Sequence, residues 1–291
     1  MSGFSSLFRH SRRSYYWHTL KKQDFPAAES FLMEREKNCV TACACFIQAE
    51  KAVHAWFLPD AEENIVSLLL HNRSSLIPVL GENKDVPAPR FLGRFLNRIP
   101  IHSVQGVTGD VEVFDNFLIK AGRRAGSHID FDLMYTDRKP WAGALPRGLP
   151  GMVLRLPEET DLDALFPLQA AYEQEEVLSP GAAFNPASCR LTLERIVRRE
   201  HTLVACLDGR IVGKANTNAE SFTRYQIGGV YVQPDYRGLG IATIMTATLV
   251  GELIARGKGV SLFVKKQNAA ARAVYRRLGF MNAGDYRITY Y

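Results

Sequence analysis

The stretch Val230-Tyr-Val-Gln-Pro-Asp-Tyr-Arg-Gly-Leu-Gly-Ile-Ala-Thr243 carries the residues with the clearest chemistry. A β-type run ends at Pro234 and a glycine-rich loop follows. A helical pattern then opens near Ile241, with Ile241, Met245, Leu249 and Leu253 spaced four apart. Gly238 and Gly240 let the backbone turn tightly and approach a ligand closely. The first N–H groups of such a helix lack partners and favour an anion, and Arg237 adds a cation. Arg237, Gly238, Leu239, Gly240, Ile241, Ala242 and Thr243 therefore read as a cradle for a phosphate or pyrophosphate. Neither common nucleotide fingerprint fits. The dinucleotide motif needs a third glycine where Thr243 stands, and an acid at the end of the next strand, which reads Val264-Lys-Lys-Gln267. For a P-loop, Gly251 and Gly257 are one residue too far apart, and Gly259 replaces the Ser/Thr after Lys258.

Other reactive residue types have plainer explanations. Asn268 precedes Ala269-Ala-Ala-Arg-Ala and is placed to cap a helix. Cys39, Cys43 and Cys45 lie in the run Val40-Thr-Ala-Cys-Ala-Cys-Phe. Their spacing is not that of a zinc site and no histidine is near, so they are expected as small apolar residues on a buried helix, and no metal is expected. Cys189 and Cys206 lack a His–Asp partnership and are expected as buried thiols. His201 marks a strand start. Five cysteines, an odd number, argue against a closed disulfide framework and for a reducing cytoplasmic setting.

The elements that must position these groups follow from punctuation and period. Asp137-Arg-Lys-Pro-Trp-Ala-Gly-Ala-Leu-Pro-Arg-Gly-Leu-Pro-Gly151 is too rich in proline and glycine for a regular element, so it reads as a linker. It divides the chain into residues 1–148 and 149–291. The first part mixes a helix over residues 29–51, short strands at Ala55, Ile65 and Leu76, a helix over 111–122 and an alternating strand from Ile129. The second reads strand, two helices, three strands, helix, strand, helix, strand, with a hairpin turn at Asp208-Gly209. Both halves close with a similar strand–loop–helix–strand order, a hint of duplication.

With 291 residues and 46% hydrophobic content the chain suits two domains, and 23% charged residues excludes wholesale disorder. No apolar run is long enough to cross a membrane, and no secretory signal is expected from the residues at the start. The net charge of +6 suits an anionic ligand. Arg9, His10, Arg12 and Arg13, followed by Tyr15, Tyr16 and Trp17, form a basic, aromatic arm that matches no nucleic-acid motif and reads as a solvated end. Nucleic acid therefore ranks last among partners.

Arg237, Gly240 and Ala242 fit the [RQ]-x-x-G-x-[GA] loop with which the GNAT family of N-acetyltransferases binds acyl-CoA, and so resemble it. A second block, Asn268-x-x-Ala271-x-x-x-Tyr275-x-x-x-Gly279-Phe280, resembles another motif of that family. Together they cover about residues 151–291. Glu175-Glu-Val-Leu-Ser-Pro180, Gly213-Lys-Ala and Gly229-Val-Tyr-Val-Gln-Pro-Asp-Tyr-Arg-Gly resemble a subgroup that joins a GNAT domain to a degenerate GNAT-like N-terminal domain, a tandem GNAT. In the first half Gln105-Gly-Val-Thr-Gly-Asp110 takes the place of the loop, without an arginine.

The resemblance implies an α/β (α+β) fold of two GNAT-like domains, each a mixed, mostly antiparallel sheet flanked by helices. It implies direct transfer of an acetyl group from acetyl-CoA to a primary amine of unknown identity. Val230, Tyr231 and Val232 would offer backbone groups to the pantetheine arm, residues 237–243 would hold the pyrophosphate, and Asn268 would bond the arm. Tyr275 would be the general acid, since a tyrosine is protonated at neutral pH. Many family members carry a base on the strand before the loop, but Arg224-Tyr-Gln-Ile-Gly-Gly-Val has no acid. Glu173, Glu175, Glu176 and Glu220 remain, and Glu176 is the first choice. The missing carboxylate leaves a second reading, a non-catalytic acyl-CoA-binding regulator. The degenerate first half is expected to shape the acceptor side of the cleft or to make a homodimer contact.

Overall fold

The computed structural model describes residues 16–48, 53–82, 92, 96, 98–141, 143, 145–179 and 181–291. Arg9, His10, Arg12, Arg13 and Tyr15 of the basic arm lie outside them. The first half runs β1 (His18–Thr19), α1 (Phe25–Ile47), β2 (Val53–Pro59), β3 (Ile65–Asn72), β4 (Ser75–Val79), β5 (Ser103–Val107), α2 (Thr108–Lys120) and β6 (Ser127–Thr136). The second runs β7 (Met152–Arg155), α3 (Leu162–Tyr172), α4 (Pro186–Arg199), β8 (Thr202–Leu207), β9 (Arg210–Glu220), β10 (Arg224–Val232), α5 (Ile241–Ala255), β11 (Gly259–Lys265), α6 (Ala269–Arg277) and β12 (Met281–Tyr290). Between β6 and β7 the described residues form no strand and no α-helix.

Local chemistry accounts for the boundaries. α1 begins before Glu29 because Pro26 fits the first turn, where its missing N–H costs nothing. Asp208 (φ 49) and Gly209 (φ 79) both adopt positive φ, as a two-residue turn between β8 and β9 requires. The cysteines of α1 are buried among Leu32, Phe46, Leu68 and Leu70.

The twelve strands of the described residues join one sheet, in the order β1-β2-β3-β4-β5-β12-β6-β11-β10-β9-β8-β7. Among the described strands only β4–β5 and β10–β11 pair in parallel. The last strand of each half has moved to the other. β12 lies between β5 and β6, and β6 lies between β12 and β11. The linker therefore divides the chain but not the sheet, because strand neighbours are set by pairing and not by sequence order.

The exchange has two-fold regularity. Tyr286 of β12 faces Phe131 of β6, with Val107 beside Tyr286 and Lys265 beside Phe131. Val107 and Lys265 are thus equivalent in register, although α2 starts directly after Val107 and α6 only at Ala269, after the Asn268 cap. This corrects one expectation. Gln105 to Asp110 runs from β5 into α2 and matches the β11–α6 junction, not the glycine loop. The counterpart of that loop follows β4, where residues 83–91 lie outside the described ones.

A buried carboxylate ties α1 to the second half. Glu36 accepts hydrogen bonds from Ser221 Oγ (2.6 Å), Thr223 N–H (2.8 Å) and Thr223 Oγ1. Three donors compensate its loss of water.

Candidate active site

The site opens where β10 leaves β11. Their parallel ladder joins Arg224, Tyr225 and Gln226 to Gly259, Val260 and Ser261, and no later residue of β10 pairs with β11. On its other side β10 bulges against β9 between Gly228 and Tyr231. Gly229 sits at φ 62, and a Cβ there would run into Asn216 and lie 2.8 Å from Lys214 Nζ. Both the backbone angle and the crowding require glycine.

Side chains pin this bulge. The Gly229 N–H donates to the Tyr172 hydroxyl (3.0 Å), and the Gly229 carbonyl accepts from Lys214 Nζ (3.0 Å). Lys214 Nζ also donates to Asn216 Oδ1 (2.9 Å) and lies 4.9 Å from the centre of the Tyr172 ring. Lys214 is wholly buried. Desolvation brings its pKa down to about 7, against the opposing pull of Glu173 and Cys189. Burial pushes the Tyr172 phenol up. Tyr172 ends α3, and the chain continues in a π-helical turn, Glu173–Val177, which brings Glu175 and Glu176 to the cleft.

On one side of the opening lies a groove of about 430 Å³. It is lined by Val230, Tyr231, Val232, Arg237, Gly238, Gly240, Ile241, Ala242, Thr243, Asn268, Tyr275 and Glu176. The structure thus gathers every expected site residue but Leu239. That residue is exposed between two left-handed glycines and takes no part in the lining. Gly238 (φ 78) and Gly240 (φ 82) shape the loop. Gly240 caps α5 without a side chain, and no acid stands in the first turn, so the N–H groups of that turn remain available to an anion.

Arg237 is not a free cation. Its Nε donates to the Val232 carbonyl (3.0 Å), its Nη2 donates to Glu175 Oε2 (2.9 Å), and its guanidinium lies over the Tyr231 ring. The Tyr231 hydroxyl donates to the other oxygen of Glu175 (2.7 Å). The Tyr231 and Arg237 hydrogen bonds hold the Glu175 carboxyl below its usual range, although its own desolvation acts the other way. Glu175 thereby fastens the π-helical turn to the glycine loop.

On the other side lies a pocket of about 230 Å³. Glu176, Val230, Asn268, Ala271 and Tyr275 line both cavities. Asn268 Oδ1 accepts the Ala271 N–H (3.0 Å), the expected cap, while its Nδ2 donates to Glu176 Oε1 (3.0 Å). Lys265 Nζ lies 3.6 Å from Glu176 Oε2 and donates to the Glu175 carbonyl (2.8 Å). Desolvation, then Tyr172 and Glu176, push the Tyr275 phenol well up, so it holds its proton. Glu220 instead pairs with Lys258 (2.7 Å) and lines neither cavity.

Sequence reasoning missed Lys214 and Tyr172. Besides the place of Lys214 in the Gly213-Lys-Ala resemblance, the signal is a lysine inside the otherwise apolar run Ile211-Val-Gly-Lys-Ala. A lysine there must either face solvent or be buried with partners.

Comparison with known proteins agrees with this geometry. Residues 164–280 match the acetyltransferase (GNAT) family. An acetyltransferase of Pectobacterium atrosepticum is 30% identical over 134 residues, covering 44% of this chain and 87% of the relative. The chain belongs to the GNAT family and is an acyltransferase. The fold is also that of a GCN5-related N-acetyltransferase from Sphaerobacter thermophilus (TM-score 0.60, 18% identity, 94% of each chain). A tandem GNAT protein from the clavulanic acid biosynthesis pathway shares it too (TM-score 0.58, 12% identity, 94% of this chain and 97% of the other). Among the described residues no helix is long and apolar enough to cross a membrane.

Proposed function

We propose that the protein transfers an acetyl group directly from acetyl-CoA to a primary amine. One observation carries the reading: a groove bearing a glycine loop at a helix N-terminus meets a separate pocket at Tyr275, Glu176 and Asn268. The loop fits a pyrophosphate because its two left-handed glycines and the uncapped first turn of α5 present N–H donors at one point. The stretch of β10 beyond Gln226, unpaired with β11, offers backbone groups to the pantetheine arm.

The coenzyme supplies a thioester, whose C–S bond breaks as the amine nitrogen bonds the same carbon. An N–H of Val230–Val232 polarises the carbonyl oxygen, and Lys214 and Tyr172 hold the bulge that aims it. Tyr275 gives its proton to the departing sulfur. Glu176, held by Asn268 and Lys265, takes the proton that the amine loses. Residues 1–148 supply part of the acceptor side through β6.

Calorimetric titration with acetyl-CoA tests the reading. Gly240→Asp puts a carboxylate and a strained φ at the anion site, and affinity should fall about 100-fold, some 3 kcal/mol. Arg237→Ala should cost about 10-fold. A folded chain that does not bind acetyl-CoA sinks the proposal.

A further inference from the structure

The pocket opposite the glycine loop has a consistent chemical character. Its wall is Phe131 of β6, Ile227 of β10, Phe263 of β11, and Ile288 and Tyr290 of β12, with Val177 of the π-helical turn. Strand exchange brings these residues together, since β6 and β12 reach β11 only through it. The rings are braced. Phe131 meets Phe263 edge-on at 5.1 Å, and Phe263 stacks on Tyr286 at 5.0 Å. Phe263, Ile288 and Tyr290 are only partly covered by protein, so apolar surface faces the cavity.

Glu176, Asn268 and Tyr275 stand at the junction with the groove, Tyr172 lines the pocket with its hydroxyl accepting the Gly229 N–H, and Asn218 is exposed at the rim, its Oδ1 accepting from Gln226. Lys265 Nζ is already taken by the Glu175 carbonyl and by Glu176. The wall therefore holds no free cation for an acceptor's carboxylate or phosphate. Glu176 is the one carboxylate in its lining, so the second ammonium of a polyamine would find no charged acceptor there. At about 230 Å³ the pocket is smaller than the ~300–1,000 Å³ usual for drug-sized ligands.

We propose that the acceptor is a small primary amine carried on an apolar body of about one ring, seated against Phe131, Phe263 and Ile288 with its nitrogen at Glu176. This rests on the acetyl-transfer reading above, with the same N–C bond formed and C–S bond broken. Tyr275 protonates the sulfur and Glu176 takes the amine proton.

The test is thiol release from saturating acetyl-CoA with 2-phenylethylamine and isopentylamine, beside spermidine, glucosamine and a blocked lysine peptide. Acetyl-CoA binding is measured separately by calorimetry. The apolar amines should exceed the other three in kcat/KM by about 100-fold, the scale on which an apolar pocket discriminates. Val177→Asp puts a charge on the wall at an exposed position, where folding is not at stake. It should raise KM for 2-phenylethylamine at least about 10-fold and leave acetyl-CoA affinity unchanged. Phe263→Ala should act in the same direction. If acetyl-CoA binds and spermidine, glucosamine or the peptide is the better acceptor, the substrate class is wrong while acetyl transfer stands. Acetyl-CoA binding without turnover of either apolar amine also overturns the class. Failure of acetyl-CoA to bind removes the underlying reading.

Discussion

Lys214→Met probes the buried amine behind the Gly229 bulge. A neutral amine has two N–H groups, and the site offers two good acceptors, Gly229 O and Asn216 Oδ1. A third proton would find only the Tyr172 ring face. Burial accordingly lowers the pKa from 10.5 to about 7. Between those values the unfolded chain holds a proton that the folded chain lacks. Stability then rises with pH, by up to about 1.4 kcal/mol per unit from this one group. Below pH 7 both states are charged, and the cost of the buried cation is fully present. The working range is thus pH 7 upward, and from pH 7 to 9 the wild type should gain about 2 kcal/mol on the methionine variant. Methionine leaves the Gly229 carbonyl and Asn216 Oδ1 without their donor, which costs about 1–3 kcal/mol at every pH. At pH 6 that loss is offset by removal of the charge, so the two proteins should approach each other or cross. Lys214→Arg, which cannot shed its proton, should be less stable than wild type throughout. Urea unfolding of the three proteins at pH 6, 7, 8 and 9 reads this directly. A wild-type–methionine difference that stays constant within about 0.5 kcal/mol from pH 7 to 9 refutes the argument.

Two further outcomes follow from the site and the sheet. Tyr275→Phe should lower kcat by about 10²–10⁴ while the acetyl-CoA dissociation constant stays within about twofold, read by thiol release and calorimetry; an unchanged kcat removes Tyr275 as the acid. Residues 149–291 expressed alone should not give a cooperatively folding protein by circular dichroism, because β12 loses both its neighbours and β11 loses β6. A soluble, cooperative and active fragment would show that strand exchange is dispensable.

Legibility of the site in the sequence tracked how local its physics is. The glycine loop was readable because Gly238 and Gly240 serve backbone angles fixed within a few residues. Asn268 was readable because a cap is a contact with a residue three positions on. Lys214 was not, since its meaning comes from Gly229 and Tyr172, which pairing and helix packing bring to it from distant parts of the chain. In the sequence Glu175 reads as a candidate base within the Glu175–Pro180 stretch, whereas in the fold it fastens Arg237 and Tyr231. The alternation in β6 announced a strand but not its neighbours, so the exchange with β12 stayed hidden. Placing Gln105 to Asp110 at the loop failed for the same reason, as it required knowing which strand of one half answers to which of the other.

The same equivalence explains why the two halves differ in chemistry. In the second half the residue capping the helix after the cleft is Asn268, whose amide turns to Glu176 and leaves the edge of β10 open. In the first half Val107 takes the cap position, and Asp110 in the first turn of α2 is buried and accepts the Leu80 N–H at 3.0 Å, just past the end of β4. A backbone donor at the mouth of that cleft is thus consumed by the chain itself. A pantetheine arm bound there would have to displace that hydrogen bond. Glycine pairs such as Gly228–Gly229 are also missing from β4, which reads Ser-Leu-Ile-Pro-Val. The first half keeps a cavity of about 420 Å³ beside Leu80, Gly106 and Asp110, but without a glycine pair in the strand that borders it. Through β6 it lends Phe131 to the pocket of the other half, and that supplies a physical reason for both halves to remain on one chain.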